Sequence, residues 1–152
     1  MNANIRIDIL DPRWRRNLRQ AEALVRRGAR AALDGSSTAG TVTFALGDDA
    51  LLRRLNHDFR GKDKPTNVLS FPGSGDGELG DVALAFETCA REARAQRKEL
   101  DAHVRHLVVH GTLHLLGFDH ETDSDAFAME ARERRVLRRL GVSDPYRVRG
   151  AA

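Results

Sequence analysis

One segment in the second half of the chain, residues 107–120, makes two demands on the fold. LVVHGTLHLLGFDH is apolar on several sides, so a helix over 107–116 has to lie in the core. His110 and His114, four residues apart, nevertheless project from the same face of that helix. Because burying an imidazole without a partner costs about 1–3 kcal/mol, the fold has to supply something for both side chains to bind.

A glycine and a third histidine follow this pair. Gly117 can adopt the left-handed conformation that turns the chain, and His120 then faces the other two imidazoles. Neutral imidazoles suit Zn²⁺, and three protein ligands leave a fourth position open. The spacing predicts one zinc ion bound by His110, His114 and His120. Two alternatives stay open: core histidines bonded to backbone, and a closed structural zinc site, although Cys89 lies in a separate predicted helix.

The same spacing is the H-E-x-x-H-x-x-G-x-x-H pattern of the metzincin zinc proteases, with one departure. Gly111 stands where those proteases carry a general-base glutamate. Peptide hydrolysis needs a proton shuttle to the leaving amine. A phosphodiester brings its own oxygens to the metal, and RNA brings a 2′-hydroxyl nucleophile. Gly111 therefore argues against a protease and is compatible with phosphoryl chemistry.

The composition sets outer limits on fold and partners. With 152 residues, 41% hydrophobic and 31% charged, the chain is expected to form one globular domain over 1–152. No apolar run approaches the roughly 20 residues that span a bilayer, and MNANIRIDIL lacks the pattern of a secretory signal. A single cysteine fits a reducing cytoplasm. A formal net charge of +3 permits an anionic partner such as RNA without requiring one.

Strand and helix patterns alternate along the chain. Alternating apolar residues predict strands over 5–10, 41–46, 67–72 and 81–87. Helical spacing predicts helices over 13–34, 48–58, 88–100, 102–116 and 123–140. Asp48 or Asp49 is the predicted N-cap of the second of these helices, and Asp101 that of the fourth. We therefore expect an α/β fold in which a small mixed sheet of about four strands packs with about five helices, with the metal site on a core helix. The short GSGDGE connection requires at least one antiparallel strand pair.

A second group of polar residues lies in LNHDFRGKDKPTNVLSFP, residues 55–72. Arg60, Lys62 and Lys64 are predicted to lie on a loop leading into a strand, where binding groups are often found. An arginine stays charged and binds two phosphate oxygens at once. The loop is therefore a candidate binding site for a phosphodiester, and a solvated turn is the alternative.

Other polar residues near the predicted metal site have less specific roles. His106 and Asp119 could each hold a ligand ring by a hydrogen bond, and a surface position is equally compatible with either. His57 and His103 are predicted to be exposed. The basic segment ARERRVLRRL, residues 131–140, is predicted to be the solvated face of an amphipathic helix.

LNHDFRGKDKPTNVLSFP, then LGDVALA, then HGTLHLLGFDH, in that order and spacing, resemble the YbeY endoribonuclease family, the bacterial rRNA maturation factors. The resemblance covers about residues 45–146, including LGVSDPY. It departs from the common pattern at Phe118, where tyrosine is frequent, and at Asn67, where aspartate often occurs. Neither position is a predicted metal ligand.

The resemblance implies a single-domain α/β fold and a zinc-dependent endoribonuclease that prefers single-stranded RNA. Its expected role is in 16S rRNA 3′-end maturation and 70S ribosome quality control, in the cytoplasm. Expected partners are rRNA and possible ribosomal or small-subunit proteins, without a membrane or DNA. The implied zinc ligands are His110, His114 and His120. Arg60 and His114 are the predicted catalytic residues, and Arg60, Lys62 and Lys64 the predicted substrate contacts.

Two other functions remain open at this point. A zinc metallohydrolase of the protease type would need an acidic base near the metal and a groove for an extended peptide. The sequence lacks the glutamate, and Met129 falls inside a predicted helix instead of a methionine turn. A ribosome-associated binding module with structural zinc would need a fourth protein ligand, and the basic segment 131–140 could serve it.

Overall fold

A computed structural model describes residues 3–36, 38–61 and 66–146. The strands are β1 (Asn4–Ile9), β2 (Thr41–Gly47), β3 (Val68–Pro72) and β4 (Glu78–Ala85). The helices are α1 (Arg13–Asn17), α2 (Ala21–Leu33), α3 (Asp49–Arg60), α4 (Phe86–Ala95), α5 (Leu100–Leu115) and α6 (Asp123–Arg139). The predicted α/β class and the four predicted strands are confirmed, although β4 begins at Glu78 and gives way to α4 after Ala85, earlier than predicted.

The strands form one mixed sheet in the order β1-β2-β4-β3. β1 pairs with β2, and β2 with β4, in parallel, whereas β3 pairs with β4 in the antiparallel sense. The connection between β3 and β4 turns at Gly75 and Gly77, whose φ values of 91° and 80° favour glycine. The predicted antiparallel pair is therefore confirmed.

One face of the sheet is covered by α2 and α5. A single buried cluster joins strand and helix residues, among them Val42, Phe44, Val82, Leu84, Val25, Val104 and Val108. Burial of each such side chain contributes about 1.5–3 kcal/mol to stability. Because Val104 and Val108 belong to this cluster, α5 is a core helix, as its sequence predicts. Within the described ranges, no helix combines the length and apolar character needed to cross a membrane.

The opposite face of the sheet carries α3. Leu52 packs there in a smaller buried cluster with Leu69, Ala83 and Ala85. The Asp48 side chain begins the helix by accepting a hydrogen bond from the amide of Leu51 at 2.9 Å, which confirms the predicted cap. α3 ends at Arg60, whose guanidinium donates to the Ser70 carbonyl on the edge strand β3.

The single helix predicted over 13–34 is wrong, because the chain breaks it between α1 and α2. Gln20 has a left-handed φ of 54°. Trp14 is fully buried, donates from its indole Nε1 to the Gly47 carbonyl at 2.8 Å, and meets the Phe86 ring edge-on at 5.3 Å. α1 is thus held at the end of β2 while α2 lies on the sheet. One straight helix cannot occupy both places, so the described chain has six helices instead of five.

The boundary between α4 and α5 also differs from the prediction. α4 ends at Ala95, and Arg97 has a positive φ of 55°. α5 begins at Leu100 after the extended residue Glu99. The predicted N-cap, Asp101, instead lies within the first turn and accepts a hydrogen bond from the adjacent Ala102 amide.

Candidate metal centre

α5 places two imidazoles side by side at its C-terminal end. The Nε2 atoms of His110 and His114 lie 3.2 Å apart, and the ring centroids are separated by 4.7 Å. The four-residue spacing on one helix thus produces the converging pair that the sequence predicts. At this distance the lone pairs of the two nitrogens would repel each other unless a proton or a cation lies between them.

Gly117 ends the helix and turns the chain toward this pair. Its φ is 99°, its amide donates to the His114 carbonyl at 3.0 Å, and the Phe118 amide donates to the Leu113 carbonyl at 3.1 Å. These two bonds form a Schellman motif, which closes a helix when a glycine adopts the left-handed conformation. The turn brings the next histidine toward the other two.

His120 completes the cluster from beyond the turn. Its ring centroid lies 5.7 Å from that of His110 and 5.1 Å from that of His114. The three side chains each offer one nitrogen, and these nitrogens all lie within 4.8 Å of one another. Among the described residues, no fourth protein ligand joins this group. The three histidines therefore form a compact, open donor set.

A carboxylate that the sequence analysis missed orients one of these rings. Glu133, on α6, is fully buried. It accepts hydrogen bonds from Nδ1 of His110 at 2.6 Å, from Nε2 of His106 at 2.9 Å, and from the hydroxyl of Tyr146. Because the carboxylate accepts, His110 carries its proton on Nδ1 and leaves the Nε2 lone pair for a ligand.

The charge of Glu133 is stabilised by its partners. Burial acts to raise the pKa of this carboxyl, but the hydrogen bonds from His106, His110 and Tyr146 outweigh burial and lower it to about 2. The carboxylate is therefore ionised at neutral pH. His106, His110 and Glu133 also lie close enough to form a possible ligand group, but their contacts are explained by these hydrogen bonds.

The same cluster keeps His114 neutral. Burial lowers the pKa of His114, and the neighbouring His110 and His120 lower it further. A neutral imidazole retains the lone pair that a metal ion needs. The converging nitrogens, the fixed His110 proton and the neutral His114 fit a divalent cation that accepts nitrogen ligands, such as Zn²⁺.

Gly111 allows α5 to lie close to the sheet beneath this cluster. A Cβ atom at this position would lie 2.7 Å from Cγ1 of Val82 and 3.1 Å from Oγ of Ser70. The Ser70 hydroxyl donates to the Gly111 carbonyl at 3.0 Å, which ties β3 to the helix. A glutamate at position 111 would thus require the helix to move away from the sheet.

The histidine cluster opens into a cleft of about 890 Å³, the metal cleft. Arg60 lines the same cleft and is the last residue of α3, not a loop residue as predicted. Its guanidinium donates to the Ser70 carbonyl at 3.2 Å and lies 5.8 Å from the centre of the Phe71 ring. The structure therefore brings Arg60 and the three histidines to one cleft. Lys62 and Lys64 lie outside the described residues.

The remaining predicted polar residues have mixed outcomes. His57 is exposed, as predicted, but His103 is buried at 4% exposure and its Nε2 lies 2.9 Å from Oε1 of Glu92. The prediction for His103 is wrong because α4 supplies a carboxylate partner in the core. His106 bonds to Glu133 and so acts on the cluster indirectly. Asp119 accepts a hydrogen bond from the backbone amide of its neighbour, not from a ring nitrogen.

Cys89 takes no part in the cluster. It is buried, and burial raises the pKa of its thiol. No group of possible metal ligands within the described ranges includes it. The closed structural zinc site that the sequence left open therefore lacks its expected cysteine.

The chain is similar to proteins of known name. The sequence model of the family described as Endoribonuclease YbeY matches residues 8–141. A protein named Endoribonuclease YbeY from Rhodopseudomonas palustris is 49% identical, with 84% of this chain and 81% of that protein covered. One of the same name from Paramagnetospirillum magneticum is 48% identical, with 93% and 94% covered. The solution structure of TM1509 from Thermotoga maritima has a similar fold, with a TM-score of 0.60 at 22% identity, covering 95% of this chain and 99% of that one.

Proposed function

The chain belongs to the endoribonuclease YbeY family, and we propose that it is a metal-dependent endoribonuclease that prefers single-stranded RNA. Its proposed role is the maturation of the 16S rRNA 3′ end and the quality control of 70S ribosomes in the cytoplasm. Ribosomal or small-subunit proteins are proposed partners on the same basis. The observation that carries the proposal is the meeting of the three-histidine cluster and Arg60 in one cleft.

The proposed metal ligands are His110, His114 and His120, and the proposed ion is a single Zn²⁺. When bound, the ion would act as a Lewis acid toward an oxygen of the phosphodiester. The chain's own contribution is to hold three imidazole nitrogens close together before the ion arrives. Glu133 contributes by fixing the His110 ring and its proton.

Arg60 is the proposed contact for the phosphate that reacts. Its guanidinium stays charged at any working pH and can bind two phosphate oxygens. The hydrogen bond to the Ser70 carbonyl and the position beside the Phe71 ring limit its freedom. A positioned cation stabilises the negative charge that develops on phosphate oxygens in the transition state. Lys62 and Lys64 remain predicted contacts for the RNA backbone.

The two alternative functions are not favoured. The family match points to ribonucleases, and the packing at Gly111 leaves no room for the glutamate of a metzincin protease. A structural zinc site would use a fourth protein ligand, and the histidine cluster has three within the described residues.

The test is cleavage of a labelled single-stranded RNA that carries the extended 3′ end of 16S rRNA. Metal-loaded protein is expected to cut this RNA and to leave a DNA of the same sequence and a fully paired RNA largely intact. Addition of a chelator should stop cleavage, and added Zn²⁺ should restore it. Equal cutting of RNA and DNA, or turnover of a peptide in proportion to bound zinc, would contradict the proposal.

A further inference from the structure

A second concavity lies on the sheet face that carries α3, and we call it the aromatic groove. It has a volume of about 750 Å³, and its walls include Leu10, Leu51, Leu55, Phe59 and Phe71. Its floor is built from short side chains on paired strands, Ala45 beside Ala83 and Thr43 beside Asp81, whose carboxylate is exposed. The small floor residues leave a trough between α3 and the sheet.

Phe59 lines this groove and is largely exposed to solvent. It follows Leu51 and Leu55 at four-residue spacing on α3, but its side chain is 69% exposed. Its ring lies 5.2 Å from that of Phe71, at an angle of 56°. Of the three large apolar side chains that are strongly exposed among the described residues, Leu10 and Phe59 both line this groove. An exposed aromatic side chain in a largely apolar groove is typical of a binding site.

The aromatic groove continues into the metal cleft. Arg60, Ser70 and Pro72 line both concavities. The guanidinium of Arg60 bonds to the Ser70 carbonyl and lies beside the Phe71 ring. A ligand whose phosphate contacts Arg60 in the metal cleft has room to extend into the aromatic groove. This continuity, with a cation at the junction, favours a nucleic-acid strand over an apolar peptide.

We infer that the aromatic groove binds a nucleobase of the RNA strand next to the phosphate that reacts, with Phe59 as the surface on which the base stacks. This inference rests on the proposed function of the metal cleft. Every base has a flat face that stacks on an aromatic ring. A paired base has both faces occupied within its helix, so only a single strand can offer one to Phe59. The groove thereby gives a physical basis for a preference for single strands.

The test compares variants of metal-loaded protein by kcat/KM on single-stranded RNA. Phe59→Ala removes the stacking surface, and base–aromatic stacking predicts a loss of about 10-fold. Phe59→Trp is expected to stay within about twofold of wild type, and Phe59→Leu to resemble the alanine variant, because leucine is apolar but offers no ring. Phe127→Ala is the matched control, since Phe127 is 74% exposed and lines neither concavity.

A set of RNAs, each with one base replaced by an abasic ribose, identifies the contact. At one position beside the cleavage point, loss of the base should lower the wild-type rate to that of Phe59→Ala. On that RNA the Phe59→Ala variant should lose nothing further. A thermal melt checks that the variant is folded, as the exposure of Phe59 leads us to expect.

Several results would overturn the inference. If Phe59→Ala cleaves every RNA at the wild-type rate, the base site is excluded, whereas the proposed function stands because the wild type still cleaves RNA. An equal loss on every abasic RNA shows that Phe59 does not act through a base. A wild-type dimer that dissociates in Phe59→Ala, with RNA cleavage unchanged, assigns the groove to a second copy of the chain. Wild type that neither binds nor cleaves RNA removes the base site and the proposed function together.

Discussion

Nδ1 of His110 donates a 2.6 Å hydrogen bond to the fully buried carboxylate of Glu133. The two residues lie on different helices, α5 and α6, so this bond couples the packing of those helices to the orientation of a proposed metal ligand. It fixes the proton of His110 on Nδ1 and leaves the other ring nitrogen able to accept a metal ion.

Glu133→Gln is expected to weaken zinc binding by about 10- to 100-fold, because an amide cannot accept hydrogen bonds from His106 and His110 with a full negative charge. Competition with a coloured chelator measures the affinity. Glu130→Gln is the control. It makes the same change at a half-exposed residue of α6 that pairs with Arg134, and it should bind zinc as wild type does. Equal zinc affinity in wild type and Glu133→Gln would show that the carboxylate does not tune the site.

Gly111→Ala is expected to destabilise the fold by about 1–3 kcal/mol, because the added Cβ meets Val82 at 2.7 Å. Urea unfolding of the metal-free protein measures this free energy. Val82→Ala should create space, so the double variant should lose less than the two single variants together. If the loss of unfolding free energy in the double variant equals the sum of the two single losses, the contact with Val82 does not limit the approach of α5 to the sheet.

His103 is expected to make stability depend on pH as the pH falls through about 6.5, the ordinary pKa of an imidazole, and below it. Burial lowers the pKa of His103 below its ordinary value of 6.5, although the contact with Glu92 acts to raise it. The unfolded chain therefore takes up a proton on this imidazole before the folded chain does, and the free energy of unfolding falls as the pH falls.

For one proton this slope is at most about 1.4 kcal/mol per pH unit. His103→Gln should have a shallower slope over the same pH range, measured by urea unfolding at several pH values. An unchanged slope in His103→Gln would remove this residue from the pH dependence.

Arg60→Glu is expected to keep the metal and to lose RNA cleavage by about 10²- to 10³-fold, because it removes the charge that we propose stabilises the transition state. Arg60→Lys should recover only part of the loss, since an ammonium cannot bind two oxygens in the planar manner of a guanidinium. The rates are measured at saturating zinc. Arg54→Glu, an exposed change on the same helix, is the control for overall charge, and a loss as large as that of Arg60→Glu would indicate general electrostatics.

The elements that local spacing determines could be predicted from the sequence. The four strands, the cap at Asp48, the turn at Gly117 and the shared face of His110 and His114 each depend on residues within a few positions of one another. The helix break before Gln20 could not be predicted in this way, because its cause is Trp14 packing at the end of β2 and against Phe86.

Glu133 was missed because its partners on α5 lie 23 and 27 residues earlier in the chain. A signal was nevertheless present: Met129, Glu133, Val136 and Leu137 share one face of α6, and all four are buried. A charged residue within an apolar stripe has to find a buried partner. The same reasoning applies to His103, whose partner Glu92 lies on the preceding helix.

The central claim is that one metal ion at the three-histidine cluster enables RNA cleavage, and a zinc titration tests it most directly. Metal-free protein is titrated with Zn²⁺ while the initial rate of cleavage of single-stranded RNA is followed. The rate should rise from background and level off at one equivalent per chain, and His114→Ala should neither bind the equivalent nor cleave. Cleavage by rigorously metal-free protein, at the same level in wild type and His114→Ala, would contradict the account.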